Sequence, residues 1–364
     1  MTAHRIQPVK PSNFSSRRTS RLIAVGAFAI LAPLAAAAAP QDGQACTDIG
    51  EAVARLACYD QAHNRQMQDV ETLATPSGKL EHTDVLWATP PAHVETDFSL
   101  LSAAWELRAS EKRGTFRLLA HKTNYLLPVL HTTRINTSPS TPSPNHSFPF
   151  SLPLDSTEAK FQLSFKVKAW ENLLGDNGDL WVGYTQQSSW QVFNGGISAP
   201  FRETNYEPEL IFSLRTQGEL LGWRWRMLNL GFVHQSNGQP LPFSRSWNRV
   251  YAQFGLERGP FTLLLRPWYR LPEKAATDDN PDIRDYMGSG DVRLAYANGG
   301  HVLSALGRYS ASKGRGGLQA EWAFPVAGSL KGYVQLTTGY GASLIDYNHS
   351  QTTLGVGFLL LPWQ

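Results

Sequence analysis

Alternation of apolar and polar residues recurs from about residue 114 to the C-terminus, and it is the feature that most restricts the fold. The clearest example runs from 160 to 169, where Phe161, Leu163 and Phe165 alternate with lysine, glutamine and serine. Successive side chains of a strand point to opposite faces, so each such segment has one apolar and one polar face. We count about twelve of these segments, separated by turns rich in glycine and aspartate.

The N-terminus has the features of a secretory signal. Basic residues precede an apolar run from Leu22 to Leu34, which ends in the alanines at 35–39, and this order is typical of a signal peptide. We expect cleavage after Ala38, because Pro40 obstructs cleavage directly before it. A membrane anchor is the alternative, but the run is short and Pro33 interrupts it. No later segment has the roughly 18 consecutive apolar residues that a transmembrane helix needs.

An exported chain of this kind crosses a membrane only as a closed barrel, because closure pairs every backbone group. An even number of strands of about ten residues is typical of outer-membrane barrels. A water-soluble sandwich would show similar alternation, but aromatic residues near strand ends, such as Trp268 and Tyr269, and a strand at the C-terminus favour the barrel. The fold prediction is all-β: a twelve-stranded antiparallel transmembrane β-barrel with a short N-terminal periplasmic helical segment.

We predict three parts of the chain: a signal peptide (1–38), a periplasmic segment (39–112) and the barrel (113–364). The periplasmic segment begins with a helical pattern and contains the two cysteines of the chain, Cys46 and Cys58. An oxidising compartment favours a disulfide. In one straight helix the two residues would be about 18 Å apart, so pairing requires a bend between them. Two unpaired buried thiols are the alternative.

The charged residues argue against a nucleic-acid partner and indicate what fills the barrel interior. The net charge of +3, from 33 Lys and Arg against 30 Asp and Glu, is too small to favour nucleic acid as a partner. The polar faces of the alternating segments carry both signs of charge, for example Glu207, Arg249 and Arg293. Such a lumen can fill itself with salt bridges and hydrogen bonds, which favours a small plugged barrel over a wide pore.

A candidate base, nucleophile and orienting amide lie close together in the sequence. His234 and Ser236 would share one face of a strand, and Asn248 would return beside them if the residues between form a hairpin loop. A serine becomes nucleophilic when a histidine takes its proton, and a third group fixes the tautomer of that histidine. The residues at alternate positions along both strands, which share the face of His234 and Asn248, are apolar, for example Phe232 and Val250. If this face meets lipid, the lipid itself is a possible substrate.

In these residues and their spacing, the chain resembles the outer membrane phospholipase A family. The members of that family are calcium-dependent lipid hydrolases built on a twelve-stranded barrel. The shared segments occur in family order and are YTQQSSWQVFN (184–194), SAPFRETNYEPEL (198–210), HQSNG (234–238), SRSWNR (244–249), RPWYR (266–270), TDDNPDI (277–283) and YGASLIDYN (340–348). They are spread across most of residues 114 to 364 and leave out the cysteine segment. The resemblance implies a multi-pass protein of the bacterial outer membrane whose substrate is membrane phospholipid and whose active form is a homodimer.

The resemblance also implies an activity and its residues. The activity is hydrolysis of acyl esters at both glycerol positions (phospholipase A1 and A2) and in lysophospholipids. Ser236 would be the nucleophile, His234 the general base and Asn248 the orienting group, and the Gly238 amide would form part of an oxyanion hole. The alternatives are a non-enzymatic barrel, such as a passive channel or structural porin, and a secreted soluble lipase.

A calcium ion with ligands from both subunits is the cofactor that the resemblance implies. The matching positions are Ser198, Gln239 and Ser244, and calcium accepts hydroxyl, carbonyl and water oxygens. Arginine stands in other family members at the position of Gln239, which matters little if the backbone carbonyl is the ligand. Leu241 replaces an acidic residue, which argues against a second, monomer-specific calcium site. Asp279 is the remaining candidate for that site, unless it belongs to a solvated turn.

Gln186 is a polar residue on an apolar parity. It alternates with Val182 and Tyr184, so a regular strand would direct its amide at lipid, where an unpaired amide is unfavourable. The resemblance implies that it pairs with its counterpart across the dimer. The alternative is a local register shift that turns Gln186 into the lumen.

Overall fold

The structure is a computed structural model that describes residues 99–196 and 201–361. Within these ranges the strands are Leu118–Ala120 (β1), Asn124–Thr132 (β2), Thr157–Trp170 (β3), Asp179–Trp190 (β4), Phe201–Leu220 (β5), Trp223–Ser236 (β6), Ser246–Arg258 (β7), Phe261–Arg270 (β8), Gly290–Asn298 (β9), His301–Ser310 (β10), Arg315–Ala327 (β11), Leu330–Gly339 (β12) and Gln351–Leu361 (β13). The helices are Leu100–Trp105 (α1) and Ile283–Met287 (α2), with a 3-10 turn at Ala109–Glu111. The predicted signal peptide, its cleavage site and both cysteines lie outside the described residues. No helix among the residues described is long and apolar enough to span a bilayer.

The strands form one antiparallel sheet that closes on itself. Each strand from β4 to β13 pairs with its neighbours in sequence, β13 pairs with β2, and β3 pairs with both β2 and β4. The short strand β1 pairs with β3 at Phe165–Val167 and β2 pairs with the earlier part of β3, so β1 and β2 act as one interrupted strand. Counted in this way, the described residues form a closed barrel of twelve strands. The predicted fold is confirmed.

The two faces of the wall differ as the alternation predicts. Outward-facing side chains are apolar and exposed, such as Val182 and Leu210. Inward-facing side chains are polar, buried and joined by ion pairs: Lys122–Glu209 (2.7 Å), Arg266–Asp291 (2.6 Å) and Arg293–Glu321 (2.8 Å). The prediction of a lumen filled with salt bridges is therefore confirmed.

The short helix α1 packs inside the barrel. The Ser99 hydroxyl caps it by accepting a hydrogen bond from the backbone N–H of Ser102 (2.9 Å). Trp105 lies 3.3 Å under the Lys166 ammonium, and Glu106 pairs with the equally buried Lys168 (2.7 Å). Residues 99–112 are the end of the predicted periplasmic segment. Residues 39–98 lie outside the described part of the chain, and the domain boundaries stay a prediction.

Most connections between strands are long at one end of the barrel and short at the other. Long connections span 133–156, 237–245, 271–289 and 340–350, whereas those at the opposite end include 221–222, 259–260, 299–300 and 328–329. Outer-membrane barrels have long extracellular loops and short periplasmic turns. The candidate catalytic residues lie at the end with the long loops.

Trp268 does not lie where we expected an interfacial aromatic residue. Its side chain points inward, is 6% exposed, and meets the ring of Trp247 edge-on at 6.2 Å between centroids. Its neighbour Tyr269 is 58% exposed on the outer face. Adjacent residues of a strand point to opposite faces, so only one of this aromatic pair can lie at the membrane interface.

Candidate active site

The hairpin of β6 and β7 brings the candidate residues together. Its register pairs His234 with Asn248 and Ser236 with Ser246. Asn237 closes the connecting loop, because its Nδ2 donates to the carbonyl of Phe243 (2.8 Å) and its Oδ1 accepts from the backbone N–H of Arg245 (2.9 Å). This loop is therefore fixed by a side chain that directly follows Ser236.

The candidate residues lie at the end of an apolar strip. On β6 the residues of the same parity before His234 are Phe232 and Leu230, which are 41% and 45% exposed on the outer face of the barrel. His234, Ser236 and Asn248 themselves are half-buried. Polar groups that can react therefore stand where the lipid-facing surface of this hairpin ends.

The contact between His234 and Asn248 fixes the histidine tautomer. His234 Nδ1 lies 2.9 Å from Asn248 Oδ1. An amide oxygen can only accept, so Nδ1 donates, and Nε2 of the neutral ring carries the lone pair. Ser236 follows two residues later on the same face of β6. A base of this kind can take a proton from a hydroxyl that comes within reach of Nε2, although among the described residues no hydrogen bond joins His234 to Ser236 Oγ.

Gly238 has two reasons to be glycine. Its φ of +63° is in the left-handed region, and a Cβ there would lie 3.2 Å from the ring of Tyr206. Tyr206 is the residue of β5 that pairs with Ser236. A side chain at Gly238 would strain the backbone and crowd the strand that faces the candidate nucleophile. The backbone therefore comes close to this site, as an oxyanion hole requires.

Two of the candidate oxygen ligands, Ser244 and Asp279, are in contact with each other. Asp279 Oδ2 accepts hydrogen bonds from the hydroxyls of Ser244 (2.8 Å) and Ser246 (3.0 Å). Gln239 lies in the same loop, with its backbone N–H donating to Asn237 Oδ1 (3.3 Å). Hydroxyl and carboxylate oxygens are ligands that calcium prefers, so this donor set fits the ion. Ser198 lies outside the described residues.

Asp279 is held by a second loop and is not in a solvated turn. Its side chain is 16% exposed. His146, from the connection between β2 and β3, contributes Nε2 at 3.0 Å from Asp279 Oδ1. From the same loop the Thr141 hydroxyl donates to the Asp279 carbonyl (2.8 Å). Among the described residues no three His, Cys, Asp or Glu side chains group as a metal site, so a metal here would depend on hydroxyls and carbonyls in addition to the Asp279 carboxylate.

Sequence reasoning missed three residues at this site. Ser246 could have been found, because it shares a strand face with Ser244 and Asn248. His146 gave no signal, since it lies in a loop without periodicity. Glu273 gave none either, although its Oε1 accepts from Asn248 Nδ2 at 3.4 Å.

Gln186 lies on the outer face and not in the lumen. Its Oε1 accepts from the Tyr184 hydroxyl and its Nε2 donates to Ser188 Oγ, both at 3.3 Å. Ser188 in turn lies 3.1 Å from the Thr204 hydroxyl. The outer surface of β4 and β5 therefore carries a short row of polar groups beside exposed residues such as Val182.

Comparison with known proteins identifies the family of this chain. The family profile described as phospholipase A1 matches residues 101–360. A putative phospholipase A1 of Neisseria meningitidis serogroup B is 38% identical over 342 residues, covering 86% of this chain and 89% of the relative. The outer membrane phospholipase A structure from Escherichia coli superposes with a TM-score of 0.62 at 38% identity, over 68% of this chain and 100% of that one. The Salmonella typhi outer membrane phospholipase, a dimer with bound calcium, gives 0.63 at 39% identity, over 70% and 96%.

Proposed function

The chain belongs to the phospholipase A1 family, and we propose that it hydrolyses acyl esters of glycerophospholipids with Ser236, His234 and Asn248. Family and barrel together make it a multi-pass protein of the bacterial outer membrane. The observation that carries the proposal is the His234–Asn248 hydrogen bond, formed where the lipid-facing strip of β6 and β7 ends. A phospholipid beside the barrel has its ester groups near that end.

The reaction follows from the direction of this hydrogen bond. His234 Nε2 takes the proton of the Ser236 hydroxyl while Oγ attacks the ester carbonyl carbon. The backbone amide of Gly238 donates to the oxyanion that forms. His234 then gives its proton to the departing lysophospholipid oxygen, which leaves an acyl-enzyme. Water, deprotonated by His234, attacks that ester, and His234 returns the proton to Ser236 Oγ as the fatty acid is released.

The range of substrates follows from the position of the site. Esters at both glycerol positions, and the remaining ester of a lysophospholipid, have the same carbonyl chemistry and lie at similar depth in a membrane. A site open to the lipid on the outer face selects weakly between them. We therefore propose phospholipase A1 and A2 activity and hydrolysis of lysophospholipids.

Calcium is the proposed cofactor. Ser244 and the Gln239 carbonyl would hold it in one subunit, with Ser198 contributed by the partner. Asp279, which the sequence suggested for a second site, is added to this set because its carboxylate contacts Ser244. When bound, the ion supplies positive charge close to the developing oxyanion. The arrangement of Asp279 with two serine hydroxyls supports this proposal.

A homodimer is the proposed active form. An ion held by ligands from two subunits binds the dimer better than the monomer, so by linkage it promotes association. Gln186 would support the interface, since its amide already lies in the polar row on the outer face. The related calcium-bound dimer from Salmonella typhi supports the same assembly.

Ser236→Ala tests the proposal. The full chain is assayed on phospholipid in mixed micelles, with calcium and with chelator. Wild type should release fatty acid with calcium only, and Ser236→Ala should release none. Ser213→Ala is the matched control, because this buried hydroxyl has no hydrogen-bond partner among the described residues. Wild-type turnover by Ser236→Ala, or no hydrolysis by wild type, would contradict the proposal.

A further inference from the structure

A carboxylate lies behind the candidate triad. Glu273 belongs to the loop that follows β8, and its Oε1 accepts from Asn248 Nδ2 at 3.4 Å. The backbone leading to it is also held to Asn248, since the N–H of Leu271 donates to the Asn248 carbonyl (2.9 Å). Leu271 and Glu273 are two residues apart. The position of Glu273 beside Asn248 therefore rests on two separate hydrogen bonds.

We propose that Glu273 is a positioning residue that extends the His234–Asn248 pair. The proposal rests on the function proposed above. Its physical basis is that the oxygen and nitrogen ends of an amide have nearly the same shape, so packing alone does not orient Asn248. A carboxylate can only accept, so it holds Nδ2 toward itself and directs Oδ1 at His234 Nδ1.

Loss of this orientation would change the tautomer of the base. If the amide turned by half a rotation, its NH2 group would face His234 Nδ1 and Nδ1 would have to accept. The ring proton would then lie on Nε2, which could no longer take the proton of Ser236. Glu273 also places negative charge behind the amide when His234 becomes a cation. Because Glu273 is only half-buried, this electrostatic contribution is modest.

The surroundings of Glu273 set the pH at which it acts. Burial raises the pKa of the Glu273 carboxyl above its ordinary value, Arg270 opposes this shift, and Asp278 and Asp279 add to it. The ionised carboxylate is the form that holds Nδ2. Its contribution is therefore present above this raised pKa and is lost as the pH falls through it.

The test compares kcat and KM of wild type, Glu273→Gln and Glu273→Ala over a range of pH. Glu273→Ala should lower kcat about fivefold at neutral pH, the effect of one weak charge-assisted hydrogen bond. Glu273→Gln keeps an acceptor but can rotate, and should lose less. KM should not change, because Glu273 lies behind Asn248. The ratio of wild-type to variant kcat should fall toward one at acid pH.

Asp285→Asn is the matched control. Asp285 lies in the same connection, in α2, and pairs with the exposed Lys313 at 3.4 Å. Its removal should leave kcat unchanged at every pH. A loss equal to that of Glu273→Ala would show a general effect of charge in this loop and would overturn the proposal.

A double-mutant cycle separates positioning from a structural role. In an Asn248→Ala background, Glu273→Ala should cause no further loss of kcat, because it acts only through Asn248. Undiminished kcat in the single Glu273→Ala variant, or an equal loss in both backgrounds, would overturn the proposal while leaving the proposed function intact.

If wild type does not hydrolyse phospholipid, covalent labelling of Ser236 by a sulfonyl fluoride replaces the assay. Slower labelling of Glu273→Ala than of wild type would still support the positioning role. Equal labelling rates, or no labelling of Ser236 in wild type, would refute it.

Discussion

The two faces of the β6–β7 hairpin use polar residues in opposite ways. On the inner face, Gln235 Oε1 accepts from Trp247 Nε1 (2.8 Å) and from an Arg249 NH2 group (3.0 Å). The Arg249 guanidinium also lies 3.9 Å over the Trp247 ring. On the outer face, no side-chain hydrogen bond joins Ser236 to another described residue. The inner polar groups are joined to one another within the protein, although Arg249 Nε and Asn229 Oδ1 have no partner among the described residues, whereas the outer face retains a group that can react.

The difference shows how a barrel wall can carry a reactive site without losing stability. Alternate residues of the same two strands point into the lumen or toward the membrane. The inner polar groups are buried, so removing one leaves its partners unsatisfied. The outer groups are half-buried and can hydrogen-bond with water or substrate. Substitutions on the inner face should therefore affect stability, and those on the outer face activity.

The largest expected effect is on the outer face. His234→Ala should lower kcat by at least about a thousandfold, because base and nucleophile act as one unit. The midpoint of urea unfolding in detergent should not change. His301→Ala, an outward histidine stacked on Trp322 near the short turns, should have wild-type kcat. If His234→Ala lowered the unfolding midpoint together with activity, the expected separation between an outer face that controls activity and an inner face that controls stability would be wrong.

An intermediate effect is expected on the inner face. Arg249→Met keeps the aliphatic stem but leaves Gln235 and Glu207 with fewer partners. The free energy of unfolding should fall by about 2 kcal/mol, with little change in kcat. Tryptophan fluorescence during urea unfolding measures the first quantity, and the micelle assay the second. Loss of kcat in a variant of undiminished stability would show that Arg249 belongs to the active site.

The smallest effect is expected in the polar row on the outer face. Gln186→Leu should weaken the proposed dimer by about 0.6 kcal/mol, the average of one hydrogen bond in a membrane interior. Sedimentation in detergent with calcium should show slightly less dimer, and kcat of the remaining dimer should not change. Val182→Leu on the same strand is the control. Stronger association of Gln186→Leu would mean that the amide does not lie in the interface.

The barrel could be predicted because its signal is local. Alternation between neighbours such as Phe161 and Gln162 places one side chain outside and one inside wherever the strand lies in the sheet. The assignment of aromatic residues to the interface was less successful. Trp268 and Tyr269 are both residue types that are common at membrane interfaces. Which of the two points outward depends on the register of the strand, and the amino-acid type alone does not determine that register.

For the candidate site, the sequence by itself determined the hairpin. His234 and Ser236 share a face because a strand has a period of two, and Asn248 lies opposite because the intervening loop closes between paired strands. The tertiary structure alone brought Glu273 to Asn248, His146 to Asp279, and α1 into the lumen. These contacts join segments far apart in the chain, and loops have no periodicity that predicts where they pack. The positions of these loops follow only from the closed barrel. It fixes where each loop begins and ends, and therefore which loop side chains come into contact at that end of the barrel.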